Sequence, residues 1–577
     1  MRIKHFISDY IVKRFCSQLV YLSSVLMSKK LLPFLLFTFI ILNIGLGSWG
    51  LTESSEARYA EISREMLLSN DYLNPTLLGI YHYHKPPVTY WITSLGYKIF
   101  GISEQGARFF LQLAILIQLL LVYKIAQLLF NDKKVSLLAA LIYFSFPIVL
   151  ISSRNLTTDA YLTLFIMAAI YFWLARTKNV LGVWALYAFY ICLGFAILTK
   201  GPVALLFVLT FILVRHWLLK KKIKTSFHGI VGLLLFFAIS TSWFLFLWMR
   251  DPTFLDYFLH RQVTDRMFSN SFNRGKPFYF YIVLLPAILF PWVLLPFQNT
   301  HGKWQDFSGR KDGTDVLVFS TGILILLFSL FKTKLILYIL PLFWMVAIVI
   351  AKKLVTAAAS ILRTLNIAYA LMCLLLLLAS FLIYLFDIPY ISISKWEVLS
   401  TFGLVALWFI IYSKMKKTRP LTIGILAVGF SSILLISSMF VMGDNPGEIN
   451  SIKEVSNFVE KVDPSPKKSV LVFNYLLDSA PFYLHGSIVT INAGHNTTQR
   501  DVQFQPNDQW KNNLINCDDR SQKPYLDSLL GNPNSFLLLR KKDSENEKLK
   551  SLLYHFQKRK EFEKWIVYYH NYPKVEK

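Results

Sequence analysis

Apolar segments of about 20 residues recur along the first 442 residues of this chain, and they limit the possible folds more than any other feature. A helix of about this length crosses the hydrocarbon core of a bilayer. The hydrophobic content of 55% and mean hydropathy of +0.46 are too high for a soluble globular protein. The pattern predicts a polytopic α-helical membrane protein with about thirteen transmembrane helices, near 31–51, 107–130, 135–153, 160–175, 181–199, 202–219, 228–249, 278–297, 316–331, 335–351, 364–386, 398–413 and 420–442.

Lysine and arginine clusters fall in alternate turns between these segments. Cytoplasmic turns carry such clusters in membrane proteins. The clusters are Lys133-Lys134, Arg176 with Lys178, Arg215 with Lys220–Lys222, Lys303 with Arg310-Lys311, Lys352-Lys353, and Lys414 with Lys416, Lys417 and Arg419. This distribution places the N-terminal segment, 1–30, in the cytoplasm or at its interface. It places loops 52–106 and 250–277 and the tail, 443–577, outside. The net charge of +26 therefore comes from membrane turns and does not predict a nucleic-acid partner.

The tail has a different pattern from the transmembrane part. Short apolar runs of strand type occupy 469–475, 487–491 and 536–540, and residues 545–557 suit a helix. These patterns predict a soluble C-terminal α/β domain on the outer side of the membrane.

Five cations lie on the predicted outer side, where lysine is usually scarce. They are Lys85, Lys200, Arg266, Lys332 and Lys334. Each could simply extend its charged end to the lipid headgroups. Together, on loops that can converge, they indicate a bound anion such as a lipid phosphate, to which charge-assisted hydrogen bonds would form.

Acidic residues and histidines on the same side have two interpretations each. Asp159 suits the first turn of a helix, where a carboxylate interacts with the helix dipole, or it is a functional carboxylate in an outer cavity. His82 and His84 would point to the same side of an extended segment. They are either ordinary polar residues or, with His260 and a carboxylate such as Glu61, ligands of a divalent metal ion.

Six short motifs on the outer side occur in an order that resembles one membrane enzyme family. They are Glu56-Ala57-Arg58-Tyr59-Ala60-Glu61, Lys85-Pro86-Pro87, Thr158-Asp159-Ala160, Thr199-Lys200-Gly201-Pro202, Arg266 with Pro277-Phe278-Tyr279-Phe280-Tyr281, and Lys334 with Tyr338-Ile339-Leu340-Pro341. This ordered set resembles the bacterial aminoarabinose transferase and protein O-mannosyltransferase group, membrane glycosyltransferases of the GT-C fold. The chain departs from the family pattern at Ser55, where the family has an aspartate, and at His84, where it has a glutamate.

The resemblance implies a function and a set of site residues. A sugar such as 4-amino-4-deoxy-L-arabinose would move from a polyprenyl phosphate to lipid A or a related glycolipid, at the outer face of a bacterial inner membrane. A serine or threonine of a protein is the alternative acceptor, and a polyprenyl-lipid transporter is the alternative class. The implied catalytic residues are Glu56 and Asp159. Donor phosphate would be held by Lys85, Arg266, Lys334, Lys200 and Arg58, and the donor contacted by Tyr59 and Tyr338. A metal ion, if required, would be held by Glu61, His84 and His260.

Overall fold

The computed structural model describes residues 30–571 except 54, 221–225, 266–274, 296–312, 387 and 389–390. The predicted N-terminal segment, apart from Lys30, and the predicted phosphate ligand Arg266 therefore lie outside the described residues.

Up to residue 444 the described chain is mainly α-helical. In chain order the helices are α1 (Leu31–Asn43), α2 (Ser55–Ser69), α3 (Val88–Phe100), α4 (Glu104–Phe130), α5 (Lys133–Phe144), α6 (Pro147–Arg154), α7 (Thr158–Thr177), α8 (Trp184–Lys200), α9 (Val203–Leu219), α10 (Phe227–Arg250), α11 (Thr253–Tyr257), α12 (Phe280–Leu289), α13 (Gly313–Leu330), α14 (Phe343–Val355), α15 (Ala359–Phe386), α16 (Lys395–Lys414) and α17 (Pro420–Asp444). A π-helix, Phe258–Thr264, continues from α11, and a 3₁₀ helix, Ile336–Leu342, leads into α14.

The polytopic helical fold is confirmed. Within the described residues, eight helical segments are long and apolar enough to cross a membrane, or nine if the bent pair α5–α6 is one span. Four shorter apolar helices, α1, α8, α9 and α12, coincide with four more of the predicted segments. The count of thirteen spans stays a prediction.

Local sequence signals explain where two of these helices begin and end. Ser103 accepts a hydrogen bond from the Gly106 N–H (3.1 Å) and so caps the start of α4. Asn131 takes a left-handed conformation (φ 51°) at the end of α4, and Asp132 then caps α5 through the Lys134 N–H. Pro147 has no N–H to donate to the preceding turn, which explains the 59° bend between α5 and α6.

Loop 52–106, which the sequence predicts to be the first outer loop, is largely ordered. Helix α2 begins at Ser55 and includes Glu56, Arg58, Tyr59 and Glu61. A two-stranded hairpin, β1 (Thr76–Leu77) and β2 (Ile80–Tyr81), follows, and α3 begins directly after Pro87. Helix α2 packs on α3, so the polar residues of α2 are held in fixed positions.

The tail contains the predicted α/β fold around one six-stranded sheet. The strands are β3 (Ser469–Phe473), β4 (Ser487–Asn492), β5 (Leu514–Asn516), β6 (Ser535–Arg540), β7 (Lys558–Glu561) and β8 (Trp565–Tyr569), in the order β5-β4-β3-β6-β8-β7. The first four strands are parallel, and β7 and β8 are antiparallel additions. Helices α18 (Lys453–Val462), α19 (Ala480–Tyr483), α20 (Lys523–Leu530) and α21 (Glu547–Leu553) complete the domain.

The three predicted strands and the predicted helix correspond to β3, β4, β6 and α21. Every residue of β3 is buried, as expected for a central parallel strand covered on both faces. The sequence analysis missed β5, β7 and β8. The exposed Lys558–Glu561 strand has no apolar alternation, and β5 is only three residues long.

Candidate active site

A cavity of about 230 Å³ brings together residues from three of the six predicted outer-face motifs. Its polar lining residues are Lys85, Lys200, Gln262, Thr333 and Tyr338. The remaining lining is apolar: Leu162, Pro202, Val203, Leu206, Phe207, Val263, Phe328 and Phe331. Two ammonium groups beside an apolar wall suit a molecule with a phosphate and a hydrocarbon chain.

Lys200 occupies the end of α8, where Gly201 turns the chain away with a positive φ of 92°. Its Nζ lies 2.5 Å from Asp159 Oδ1 and 4.3 Å from the centre of the Tyr338 ring. Asp159 stands in the first turn of α7, so the helix-dipole interpretation and a functional role are both compatible with its position. The ion pair joins Asp159 to the cavity through Lys200.

Two other predicted phosphate ligands, Arg58 and Lys334, do not line this cavity. Arg58 Nε donates to Asp478 Oδ2 of the tail at 3.1 Å. Lys334 is buried, and its Nζ donates to the main-chain oxygens of Lys276 (3.0 Å) and Phe331. Arg266 lies outside the described residues. Tyr59, a predicted donor contact, packs against Tyr90 with ring centres 5.7 Å apart.

Glu56 is enclosed by hydrogen-bond donors instead of facing a cavity. Arg108 Nε and Nη2 donate to its two carboxylate oxygens at 2.8 and 2.9 Å. The Thr52 N–H (3.0 Å) and the Leu156 N–H (3.3 Å) donate to the same group. Glu56 is 1% exposed and Arg108 is fully buried, which argues against the general-base role predicted for Glu56. The catalytic role of Glu56 stays a prediction, and its contacts favour a structural role.

The predicted metal ligands Glu61, His84 and His260 are far from forming a cluster. Glu61 accepts two hydrogen bonds from Arg64, at 2.7 and 2.9 Å. His84 contacts Asp501, and the exposed His260 lies 3.3 Å from Asp256. Among the residues that the structure describes, no three His, Cys, Asp or Glu side chains are placed to hold a metal ion. Glu61, His84 and His260 are therefore not placed to bind a metal ion together. His82 and His84 do lie on the same side of their segment, with ring centres 3.8 Å apart.

The tail contacts the first outer loop through a buried carboxylate. Glu53 accepts hydrogen bonds from the N–H groups of Asp478 (3.1 Å) and Ser479 (3.0 Å) and from the Ser479 hydroxyl. Because the tail and loop 52–106 touch, they lie on the same side of the membrane. Burial, together with the charge of Asp478, raises the pKa of Glu53 to about 8, although the hydrogen bonds from Ser479 and Asp478 oppose the rise.

This raised pKa predicts that the protein loses stability as pH rises. The folded chain keeps a proton on Glu53 that the unfolded chain releases near pH 4.5. The stabilisation that this proton provides is therefore complete below about pH 4.5 and is lost progressively as the pH rises to about 8. One proton limits the slope to about 1.4 kcal/mol per pH unit. We expect the melting temperature of the purified protein to fall between pH 5 and 8 and this fall to be shallower in Glu53→Gln. Parallel curves for the two proteins would show that Glu53 is already ionised at pH 5.

Several residues at the site were missed by the sequence analysis. Gln262 and Thr333 line the cavity but belong to no recognisable motif. Arg108, the partner of Glu56, lies in the second predicted apolar segment, 107–130, where a lone arginine indicates a buried partner or a function. Asp501 contacts His84 across 417 residues of sequence, and no local pattern could have indicated that contact.

This chain is similar in sequence to several known membrane transferases. The family profile of dolichyl-phosphate-mannose-protein mannosyltransferases matches residues 84–244. Undecaprenyl phosphate-α-4-amino-4-deoxy-L-arabinose arabinosyl transferase 1 of Pseudomonas fluorescens Pf-5 is 29% identical over 57% of this chain and 60% of its own length. The corresponding transferase 2 of that strain is 30% identical over 56% of each chain. The chain thus aligns with less than two thirds of the length of these curated relatives.

One solved structure matches nearly the whole chain. The crystal structure of ArnT from Cupriavidus metallidurans bound to undecaprenyl phosphate superposes with a TM-score of 0.74, at 18% sequence identity, and covers 94% of this chain and 98% of ArnT. At this identity the match establishes the fold, and it includes the tail as well as the helical part.

Proposed function

Because this multi-pass inner-membrane chain belongs to the GT-C glycosyltransferase group of aminoarabinose transferases and protein O-mannosyltransferases, we propose that it transfers a sugar from a polyprenyl phosphate. The acceptor is lipid A or a related envelope glycolipid, and transfer takes place at the outer face. The observation that carries the proposal is the single cavity in which Lys85, Lys200 and Tyr338 meet an apolar wall. The tail and loop 52–106 share the outer side.

Donor binding is assigned to the polar part of this cavity. Lys85 and Lys200 bind the phosphate oxygens through their ammonium groups, because ionic hydrogen bonds to phosphate are strong where water is scarce. The Tyr338 ring, 4.3 Å from Lys200 Nζ, holds that side chain in place by a cation–π contact. Phe207, Phe328 and Phe331 offer the apolar surface for the first part of the lipid chain.

The reaction requires little acid catalysis, because the leaving group is already a phosphate. An acceptor hydroxyl attacks the anomeric carbon, the bond from that carbon to the phosphate oxygen breaks, and the polyprenyl phosphate leaves with the electron pair. Lys85 and Lys200 stabilise the charge that develops on it. Asp159 takes the proton of the acceptor hydroxyl, a role that Glu56 cannot fill while it is enclosed by Arg108. Attack opposite the phosphate inverts the anomeric centre.

Arabinosyl transfer is favoured over mannosyl transfer to protein, because curated relatives that align with more than half of this chain are named for 4-amino-4-deoxy-L-arabinose. A serine or threonine acceptor remains the second candidate, because the profile match carries the mannosyltransferase name. A transporter is disfavoured, because the polar cavity residues lie at or near helix ends instead of in broken helices at the middle of the membrane.

The proposal is tested with purified protein in vesicles that contain undecaprenyl phosphate-linked 4-amino-4-deoxy-L-arabinose and lipid A, with a Ser/Thr peptide added as the alternative acceptor. Mass spectrometry should detect lipid A that has gained one aminoarabinose, together with released undecaprenyl phosphate. Modification of a Ser/Thr peptide instead of lipid A would establish the second candidate. No consumption of any polyprenyl-phosphate sugar by a folded protein would refute the proposed function.

Replacement of Lys85 by alanine should weaken undecaprenyl phosphate binding by roughly 10-fold or more, because one charged hydrogen bond contributes about 1.5–3 kcal/mol. Binding can be measured in detergent by the change in intrinsic tryptophan fluorescence. Lys98→Ala is the matched control, since Lys98 is exposed at the end of α3 on the same side of the protein. Equal affinity of the two variants would mean that Lys85 only lines the cavity.

A further inference from the structure

A short segment of the tail, residues 500–504, inserts between parts of the helical domain next to the cavity. Arg500 Nη2 donates to the main-chain oxygens of Leu77 (2.8 Å) and Ile80 (3.4 Å) in the hairpin. Phe504 packs edge-on against Tyr83 and Tyr257, with ring centres 5.4 and 5.1 Å apart. We call residues 500–504 the tail anchor.

Asp501 is the carboxylate of the tail anchor, and three side chains of the helical domain meet it. His84 Nε2 lies 2.7 Å from Oδ2, and the Tyr257 hydroxyl donates to the same oxygen at 2.8 Å. Arg261 Nη1 donates to Oδ1 at 2.6 Å. The side chain of Asp501 is 10% exposed and that of Arg261 is 53% exposed, so the contacts of Asp501 with His84 and Tyr257 are better shielded from water than its contact with Arg261. Shielded contacts are stronger and more directional than those of a surface ion pair.

Two of these three contacts lead directly to the wall of the cavity. His84 is the residue before Lys85, which lines the cavity. Tyr257 accepts a hydrogen bond from Gln262 Nε2 at 3.0 Å, and Gln262 also lines the cavity. The contact with His84 connects Asp501 to the loop before α3, and the contact with Tyr257 connects it to the π-helix Phe258–Thr264. One carboxylate therefore joins two elements that are not neighbours in sequence.

We propose that Asp501, supplied by the tail domain, is a positioning residue that holds Lys85 and Gln262 in the donor cavity. Asp501 does not contact the donor; it fixes the loop before α3 and the π-helix relative to each other. The inference rests on the proposed function in that the cavity takes the lipid phosphate. It assigns the tail domain a part in donor binding, so that a site built only from the helical domain would be incomplete.

The test compares Asp501→Ala, Asp501→Glu and the control Asp508→Ala in the full-length protein. Asp508 is an exposed tail carboxylate that pairs only with Lys511 at the surface in the structure, so its loss should change little. Undecaprenyl phosphate affinity should fall about 10- to 100-fold in Asp501→Ala, the range for a misplaced binding group. The affinity should recover in part in Asp501→Glu. In Asp508→Ala it should stay within about 2-fold of the wild-type value, because a surface ion pair contributes little.

Hydrogen–deuterium exchange provides a readout that does not depend on the lipid. Exchange should accelerate in Asp501→Ala at residues 82–88 and 257–264, and not in the sheet strands β3 and β6. Normal lipid affinity with unchanged exchange would overturn the proposal. Faster exchange throughout the tail would also overturn it, because Asp501 would then be needed only for folding or docking of the domain.

A milder variant covers the case in which Asp501→Ala does not fold. Tyr257→Phe keeps the ring that packs on Phe504 and removes only the hydroxyl between Asp501 and Gln262. It should weaken undecaprenyl phosphate binding while leaving the melting temperature nearly unchanged, and equal affinity would count against the proposal. If the wild-type protein binds no undecaprenyl phosphate, the proposed function fails, whereas the exchange pattern still decides whether Asp501 orders the two segments.

Discussion

Asp159→Asn is expected to lower turnover by roughly 100-fold or more, the usual consequence of removing a general base. The asparagine keeps the size of the side chain and can still accept a hydrogen bond from Lys200, so the cavity should keep its shape. It cannot take a proton from the acceptor hydroxyl. Single-turnover sugar transfer at saturating donor, with undecaprenyl phosphate affinity measured in parallel, provides the comparison.

Donor affinity distinguishes the base from a mere partner of Lys200. If Asp159 is the base, Asp159→Asn binds undecaprenyl phosphate as well as the wild type or better, because a negative charge near the phosphate is removed. If Asp159 serves only to orient Lys200, affinity falls and the turnover of bound donor is nearly normal. Asp508→Asn is the control for the general effect of losing a charge, because Asp508 is an exposed carboxylate of the tail.

The sequence was sufficient to predict the membrane fold, because a bilayer requires long apolar helices whatever their packing partners are. Many apolar segments therefore predicted the helices to within a few residues, as in the predicted 107–130 and the observed Glu104–Phe130. The predicted 31–51, in contrast, contains the shorter helix Leu31–Asn43, and the predicted 135–153 is divided into α5 and α6. The tail was predicted in class but not in full. The strands that the sequence predicted are buried and have continuous apolar runs. Strand β7, in contrast, is polar, and it joins the sheet by pairing with β8.

Part of the candidate site was also predictable. Lys85 and Lys200 are predicted because cations on the outer side need an explanation, and Tyr338 because it belongs to a family-like motif; all three line one cavity. Lys334 meets the first criterion and Arg58 the second, but Lys334 donates to main-chain oxygens and Arg58 pairs with Asp478. Sequence cannot separate a lysine that faces a cavity from one that satisfies buried carbonyl groups, because the difference lies in tertiary contacts.

The role of Glu56 illustrates the same limit. Its place in a family-like motif predicted a catalytic carboxylate, yet the structure surrounds it with the guanidinium of Arg108, 52 residues away. A pair of this kind is invisible to local patterns. The Arg108 side chain also donates to the main-chain oxygens of Leu46, Trp49 and Gly50, at 2.8, 3.0 and 3.0 Å, and its guanidinium lies 4.3 Å from the Trp49 ring centre. Glu56 and Arg108 therefore tie α2, α4 and the 46–50 turn together.

Glu56→Ala is expected to destabilise the protein by about 3–5 kcal/mol, the cost of leaving one member of a buried ion pair without its partner. Arg108 cannot reach water from its fully buried position, so its charge would stay uncompensated. The yield of monodisperse protein in detergent and its melting temperature should both fall. Lys453→Ala is the matched control, because it removes the partly exposed pair with Glu104 near the same helix end and should cost about 1 kcal/mol or less.

Glu56→Gln decides between the structural and the catalytic role of this residue. The amide has nearly the same shape, but it loses the negative charge and turns an N–H₂ group toward the donors of Arg108 or of the Thr52 and Leu156 main chain. We therefore expect reduced stability, and any loss of turnover should follow the loss of folded protein. Arg108→Met should be at least as destabilising, since it also leaves three main-chain oxygens without a donor. A Glu56→Gln protein that melts like the wild type but transfers no sugar would return the general base to Glu56 and leave Asp159 as the partner of Lys200.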